Sequence, residues 1–358
     1  MVDFISIIDA SIEWTKAVLF KPFSLKKWLM LCFIAFLAGT LSGGFNFNSH
    51  NDFAPKRKPV QVSQTQSLQQ KPYTETCPID LHAVKDKIFK NPKIAALVVC
   101  LILLFCCLLV FSIWLYSRFS FIFLEALTKN DASIKIPFKA NRQIGNSLFV
   151  VELIVCLAFL LAFGWLIFLI FKDVMRLAVY SKSCSVGLKQ ILLTFLPYVF
   201  TFIALLIFSG IVSLVISDFV QIAMFKNKIK FMPAFLKTIG LISQNKGNFI
   251  VYILVKIGLS IACGIIFILL YLISLLILII PGAIIALIFY LFYQILPHLV
   301  FFIILFIVVV PIFLAIVVFF ACLRLPFAVF FRILSMKFIA RLDPNYNLFR
   351  HVNPEAIS

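Results

Sequence analysis

Residues 249–280 read FIVYILVKIGLSIACGIIFILLYLISLLILII, thirty-two positions with one ionisable side chain, Lys256. As an α-helix this run is about 48 Å long at ~1.5 Å per residue, against a bilayer hydrocarbon core of ~30 Å. A soluble interior of this chain's size has no room for it. Working outward in both directions, the same reading applies to 28–45, 94–117, 147–171 and 191–217. A sixth run, 299–323, qualifies once Pro311 is taken as a kink, which neighbouring helices accommodate inside a membrane. The expected fold is therefore an all-α membrane protein, a six-span helical bundle forming a single integral domain over 1–358.

Composition agrees. Of 358 residues, 63% are hydrophobic and 13% charged, where soluble domains carry about 45–50% and 25%. This excludes a soluble enzyme, a disordered chain and a nucleic-acid-binding domain. The net charge of +18 sits in the gaps between apolar runs, as expected of a chain facing anionic lipid headgroups on one side. Seven of the nine cysteines lie inside apolar runs, where Cys acts as a small hydrophobe. Cys77 and Cys184 fall in polar connections on a common outer side, which leaves a disulfide between them open but unforced. The four histidines are scattered, with no Cys or carboxylate at ligand spacing, so no metal site and no cofactor are expected.

The connections have distinct characters. Residues 1–27 place Phe4, Ile5, Ile8, Ile12 and Val18 at helical spacing, predicting an amphipathic helix lying on the membrane. Residues 46–93 open with a stretch rich in Gln, Ser, Lys and Pro that cannot repay the entropy of ordering, so a polar, partly disordered outer loop is expected. The segment 281–297, bounded by Pro281 and Pro297, is too short to span and reads as interfacial or re-entrant. Residues 324–358 read as a basic tail. With the N-terminus inside, nineteen basic residues lie on the inner side and twelve on the outer, favouring cytoplasmic N- and C-termini.

An order of features recurs after the second and fourth runs. Phe119, Lys129-Asn130, Pro137, Phe138, Gly145-Asn146 in one connection match Phe219, Lys226-Asn227, Pro233 and Gly247-Asn248 in the other. Pro22 and Phe23 begin a partial third copy, closed by Leu325-Pro326-Phe327. Proline suits a helix's first turn, where its missing N–H is not needed. Gly-Asn then permits a bend from a helix lying flat to one diving in. The expectation is a degenerate hairpin repeat with surface "elbow" helices, an arrangement that recurs in transporters but does not by itself imply transport.

The opening IEWTKAVLFKPFSLKKWLMLCFIAFLAGTLSGGFNFN (12–48), with SRFSFIFLEALTKN (117–130), GNSLF (145–149) and PFAVFFRILSMKFIARLD (326–343), resembles an uncharacterised family of bacterial polytopic inner-membrane proteins. A looser similarity is to the membrane domain of glycerophosphodiester phosphodiesterases, whose separate catalytic domain has no counterpart here. The resemblance implies topology and a bacterial inner membrane, and no site.

Ionisable groups within spans are expensive and hence informative. Glu152 and Lys256 lie at matching depth from the inner ends of their runs and could pair across the bundle. The plainer alternative is that Lys256 snorkels to the interface. No His adjoins a candidate nucleophile, and neither a phosphate loop nor an HExxH motif occurs, so no catalytic residue and no enzyme activity are expected. The expected role is a non-catalytic scaffold or lipid-contacting envelope component, in contact with anionic headgroups on the cytoplasmic side. A transporter or permease for a small or lipid-like solute is the alternative.

Overall fold

The computed structural model describes residues 3–42, 92–181, 188–295 and 297–349. Residues 46–91 of the expected outer loop 46–93, the Cys77–Cys184 pairing and the last residues of the tail lie outside these. Every regular element among the described residues is helical. In order they are α1 (Phe4–Phe20), α2 (Leu25–Leu37), α3 (Pro92–Lys129), α4 (Lys135–Ala140), α5 (Arg142–Ser181), α6 (Leu188–Val215), a π-helical turn (Ile216–Val220), α7 (Gln221–Asn227), α8 (Phe231–Gln244), α9 (Lys246–Ile295) and α10 (His298–Leu342).

Among the described residues, five stretches are long and apolar enough to cross a membrane: Ala95–Lys129, Arg142–Leu177, Leu192–Asn227, Lys246–Gln294 and Val300–Leu342. The run 28–45 departs from the six-span expectation. Its helix α2 has 13 residues, about 20 Å at ~1.5 Å per residue, and Leu31, Cys32, Ile34 and Ala35 are buried. Gly39 follows with φ +64°, and the Tyr116 ring stands 3.0 Å from where its Cβ would be. That position both requires a left-handed backbone and excludes a side chain.

A second difference concerns 281–297. Helix α9 runs unbroken through Pro281 for 50 residues. The proline removes one hydrogen bond but does not end the helix, as is common where neighbouring helices and an apolar solvent give the chain no better alternative.

The chain divides into two compact units, Phe47–Ser112 and the remainder. In the first, the described residues form the apolar start of α3, its side chains almost all exposed. In the larger unit, α5 packs along α6 and α9 along α10. Aromatic pairs zip each hairpin: Phe159–Phe208 and Phe163–Phe202 in one, Tyr271–Phe320 and Phe267–Phe327 in the other. The outward faces of these hairpins stay exposed and almost wholly apolar, as a lipid solvent demands.

The packed core lies at one end of the long helices. Residues 118–128 of α3 are all nearly inaccessible, as are 218–225, and Leu325, Val329, Ile333, Leu334, Met336 and Phe338 join them from α10. Part of the expected basic tail is core: apolar side chains at helical spacing between Leu325 and Ile339 are buried, and α10 runs on to Leu342. Helix α1 packs against α10 with Ile7, Ser11, Thr15 and Val18 buried. Of the apolar residues read as its membrane face, Val18 is buried against the protein, Phe4 and Ile8 are half-buried, and Ile5 (74%) and Ile12 (39%) stay exposed, so the helix packs on α10 and still presents apolar side chains outward. Asp3 caps its start, accepting from the Ile5 N–H at 3.1 Å.

Candidate functional site: a buried polar network and three interfacial elbows

Helix ends from α3, the π-helical turn with α7, α9 and α10 meet at polar side chains. Gln221 is the junction: its amide donates to the Tyr116 hydroxyl of α3 at 3.3 Å, and its carbonyl oxygen accepts from Arg332 of α10 at 2.5 Å. A second Arg332 N–H donates to the Ser217 carbonyl. That carbonyl lies in the π-helical turn, whose wider winding leaves regular helical partners misaligned. One residue on, Asp218 forms an ion pair with Lys256 of α9 and accepts from the Tyr252 hydroxyl at 2.9 Å. Ser335 Oγ lies 3.0 Å from that same hydroxyl. Asp218 is 5% exposed and Lys256 7%. A pair so desolvated persists only because each charge has the other plus a further donor or acceptor.

Lys256 thus neither snorkels nor meets Glu152. Glu152 is half-buried on α5 and carries no hydrogen bond or ion pair among the described residues; it stands within electrostatic reach of Tyr116. Asp218 escaped the sequence reading because it falls one residue past the apolar run 191–217 and was counted with the connection. The signal that could have found it was in the repeat: Ser117-Arg118-Phe119 and Ser217-Asp218-Phe219 place a charge before the matched Phe. Arg332, set among Val329, Phe330, Phe331, Ile333 and Leu334, carried a similar signal.

Arg118 has a parallel setting. It is buried between the Trp114 and Phe138 rings, 5.3 and 5.1 Å from their centroids. It donates to the Asn146 side-chain oxygen at 2.7 Å and to the Phe138 carbonyl at 3.5 Å. Both core arginines therefore use one carbonyl and one side-chain amide oxygen, and in both Nε has no partner among the described residues.

The elbow residues are placed as follows. Pro22 and Phe23 lie in the turn between α1 and α2, Pro137 in the first turn of α4, and Pro233 in the first turn of α8. The Gly-Asn pairs do not make the bends. Asn141 and Asn245 do, each ending an elbow helix and donating to the carbonyl four residues back, Pro137 at 3.0 Å and Leu241 at 3.3 Å. Gly145, Asn146, Gly247 and Asn248 lie inside the first turns of α5 and α9. Gly145 is small for a different reason: a Cβ there would stand 2.9 Å from Arg118 Cδ, whereas Gly247 faces open space.

Asn141 also links the two repeat copies. It donates to the buried Glu125 carboxylate at 2.7 Å and accepts from the Lys228 ammonium at 2.7 Å. Lys228 is a non-glycine residue at φ +51°, a conformation costing roughly 1–2 kcal/mol, offset by this bond and by the Phe225 ring 4.2 Å away. Partial burial holds its ammonium below the usual lysine value, while Glu125 pulls the other way. Near helix ends, Lys129 pairs with Glu125 at 2.6 Å and Arg176 with Asp173 at 3.4 Å.

A family model described as a family of unknown function (DUF7544) matches residues 2–349. The chain belongs to that family. The match takes in the polar network and all three elbows, so these are parts of one polytopic unit. No curated protein and no solved structure matches the chain.

Chemically, the network holds charges still. Its one carboxylate is engaged by a lysine and a tyrosine, and no group of three His, Cys, Asp or Glu side chains among the described residues could hold a metal ion. The surface chemistry lies in the elbows. Each sets exposed large apolar side chains beside lysines: Phe23 (63% exposed) and Leu25 with Lys21 and Lys26, Ile136 (75%) with Lys135 and Lys139, Leu236 (63%) and Met232 with Lys237.

Proposed function

We propose that this chain is a multi-pass membrane protein without catalytic activity that holds itself to anionic phospholipid on the cytoplasmic side of a bacterial inner membrane, as a scaffold or lipid-contacting component of the envelope. The observation that carries the reading is the threefold recurrence of exposed apolar side chains beside lysines at the elbows. An apolar side chain in the acyl region and an ammonium at the phosphates is the arrangement of interfacial helices, and each lysine near an anionic surface contributes about 1 kcal/mol. Both described chain ends belong to this same end of the helices, since α1 packs on the last part of α10, which supports N- and C-termini on one side, cytoplasmic by the charge bias, and so an even number of crossings, one more than the five long helices supply. The bacterial address and the likeness to the glycerophosphodiester phosphodiesterase membrane domain rest on the sequence resemblance.

The test is thermal unfolding in mixed micelles. Phosphatidylglycerol should raise the midpoint relative to phosphatidylcholine, and salt should weaken the effect. Equal midpoints in the two lipids at low salt would overturn the reading. The permease alternative has one observation in its favour, the unpaired Glu152 beside a buried charge network within the helices. A proton flux into reconstituted vesicles that disappears in Glu152→Gln would favour it instead.

A further inference from the structure

The elbow at α4 carries a seat. Residues Ile134, Lys135, Ile136, Phe138, Lys139 and Ala140 line an open groove of about 610 Å3. Lys135 and Lys139 are four residues apart, so both ammonium groups project from one side of the helix and can reach a common anion. Behind the groove, the Phe138 ring rests against the Arg118 guanidinium. Arg118 as a residue is 6% exposed, its two hydrogen-bond acceptors are neutral oxygens, and its Nε has no partner among the described residues. A buried cation with no carboxylate to neutralise it raises the local potential far more than an exposed one.

Of the carboxylates nearby, the buried Glu125 is held by Lys129 and Asn141, and the exposed Asp131 forms no ion pair among the described residues and lies in the field of Lys27. The groove is therefore a positive hollow with an apolar lip, Ile136, beside it.

We propose that this groove is a binding site for the phosphodiester headgroup of an anionic phospholipid. Lys135 and Lys139 grip the phosphate, the Arg118 charge reinforces them from behind Phe138, and Ile136 lies with the acyl chains. The proposal rests on the lipid-contacting reading above and narrows it from a general surface to one position.

The experiment is native mass spectrometry of the full chain released from micelles containing phosphatidylglycerol and phosphatidylcholine, counting retained phosphatidylglycerol. Wild type is compared with Lys135→Gln/Lys139→Gln and with Lys230→Gln/Lys237→Gln at another elbow. All four lysines are exposed, and melting in phosphatidylcholine micelles verifies that each variant is folded. The first variant should lose the retained phosphatidylglycerol, its affinity falling roughly thirtyfold for two lysines, while the second keeps it. Equal losses in both variants, or retention in both, would overturn the groove assignment while the broader reading survives. Wild type retaining no phosphatidylglycerol in preference to phosphatidylcholine would overturn both together.

Discussion

The pairing of Asp218 with Lys256 makes a demanding prediction, because the two charges are almost wholly removed from solvent. Breaking a buried pair by removing one partner costs about 3–5 kcal/mol, since the other charge is left uncompensated. Lys256→Met leaves Asp218 with the Tyr252 hydroxyl and the field of Arg332, which places its loss near the low end, ~3 kcal/mol. Asp218→Asn leaves Lys256 and Arg332 in the same interior with no anion between them, and should lose ~5 kcal/mol. In Asp218→Asn/Lys256→Met the uncompensated charge of the pair is gone and the Tyr252 hydroxyl keeps an acceptor. That variant should lose only ~1–2 kcal/mol, because a buried pair is often no better than neutral groups of similar volume. The coupling is then about 6 kcal/mol, far outside the ~0.5 kcal/mol scatter of independent sites. Reversible unfolding of the four proteins in mild detergent measures it. A double variant as destabilised as the sum of the single ones, or Lys256→Met more damaging than Asp218→Asn, would refute the reasoning.

The matched glycines should behave in opposite ways. Gly145→Ala drives a Cβ into Arg118 and should destabilise by ~1–3 kcal/mol, whereas Gly247→Ala meets open space and should be neutral or gain up to ~1 kcal/mol from helix propensity; detergent melting of the two variants checks this. Arg332→Met strips donors from the Ser217 carbonyl and from Gln221 in one step and should cost ~3 kcal/mol. Hydrogen exchange of that variant should rise first in the π-helical turn and α7, and uniform exchange across the larger unit would contradict the clamp assigned to Arg332.

Much of the architecture was legible from periodicity alone. Runs such as 249–280 are apolar around every side of a helix, and backbone groups in hydrocarbon must bond within their own helix, so length and composition suffice to find them. The prolines of the elbows were legible for a similarly local reason, the missing N–H of a first turn. What local pattern cannot supply is the identity of the neighbour. On α1, the pattern did not show that α10 would take the face bearing Ile7, Ser11, Thr15 and Val18 and leave Ile5 and Ile12 exposed. The apolar run at 28–45 is long enough to suggest a crossing, yet α2 has 13 residues before Gly39 turns the chain against the Tyr116 ring, with Leu31, Cys32, Ile34 and Ala35 in the core and Leu29, Phe33 and Phe36 exposed. Lys256 was visible as a costly charge, but its partner lies 38 residues away and just past an apolar boundary. Which carboxylate reaches it depends on the rotation of three helices about Gln221, a quantity set by packing between distant segments and carried by no single stretch of the chain.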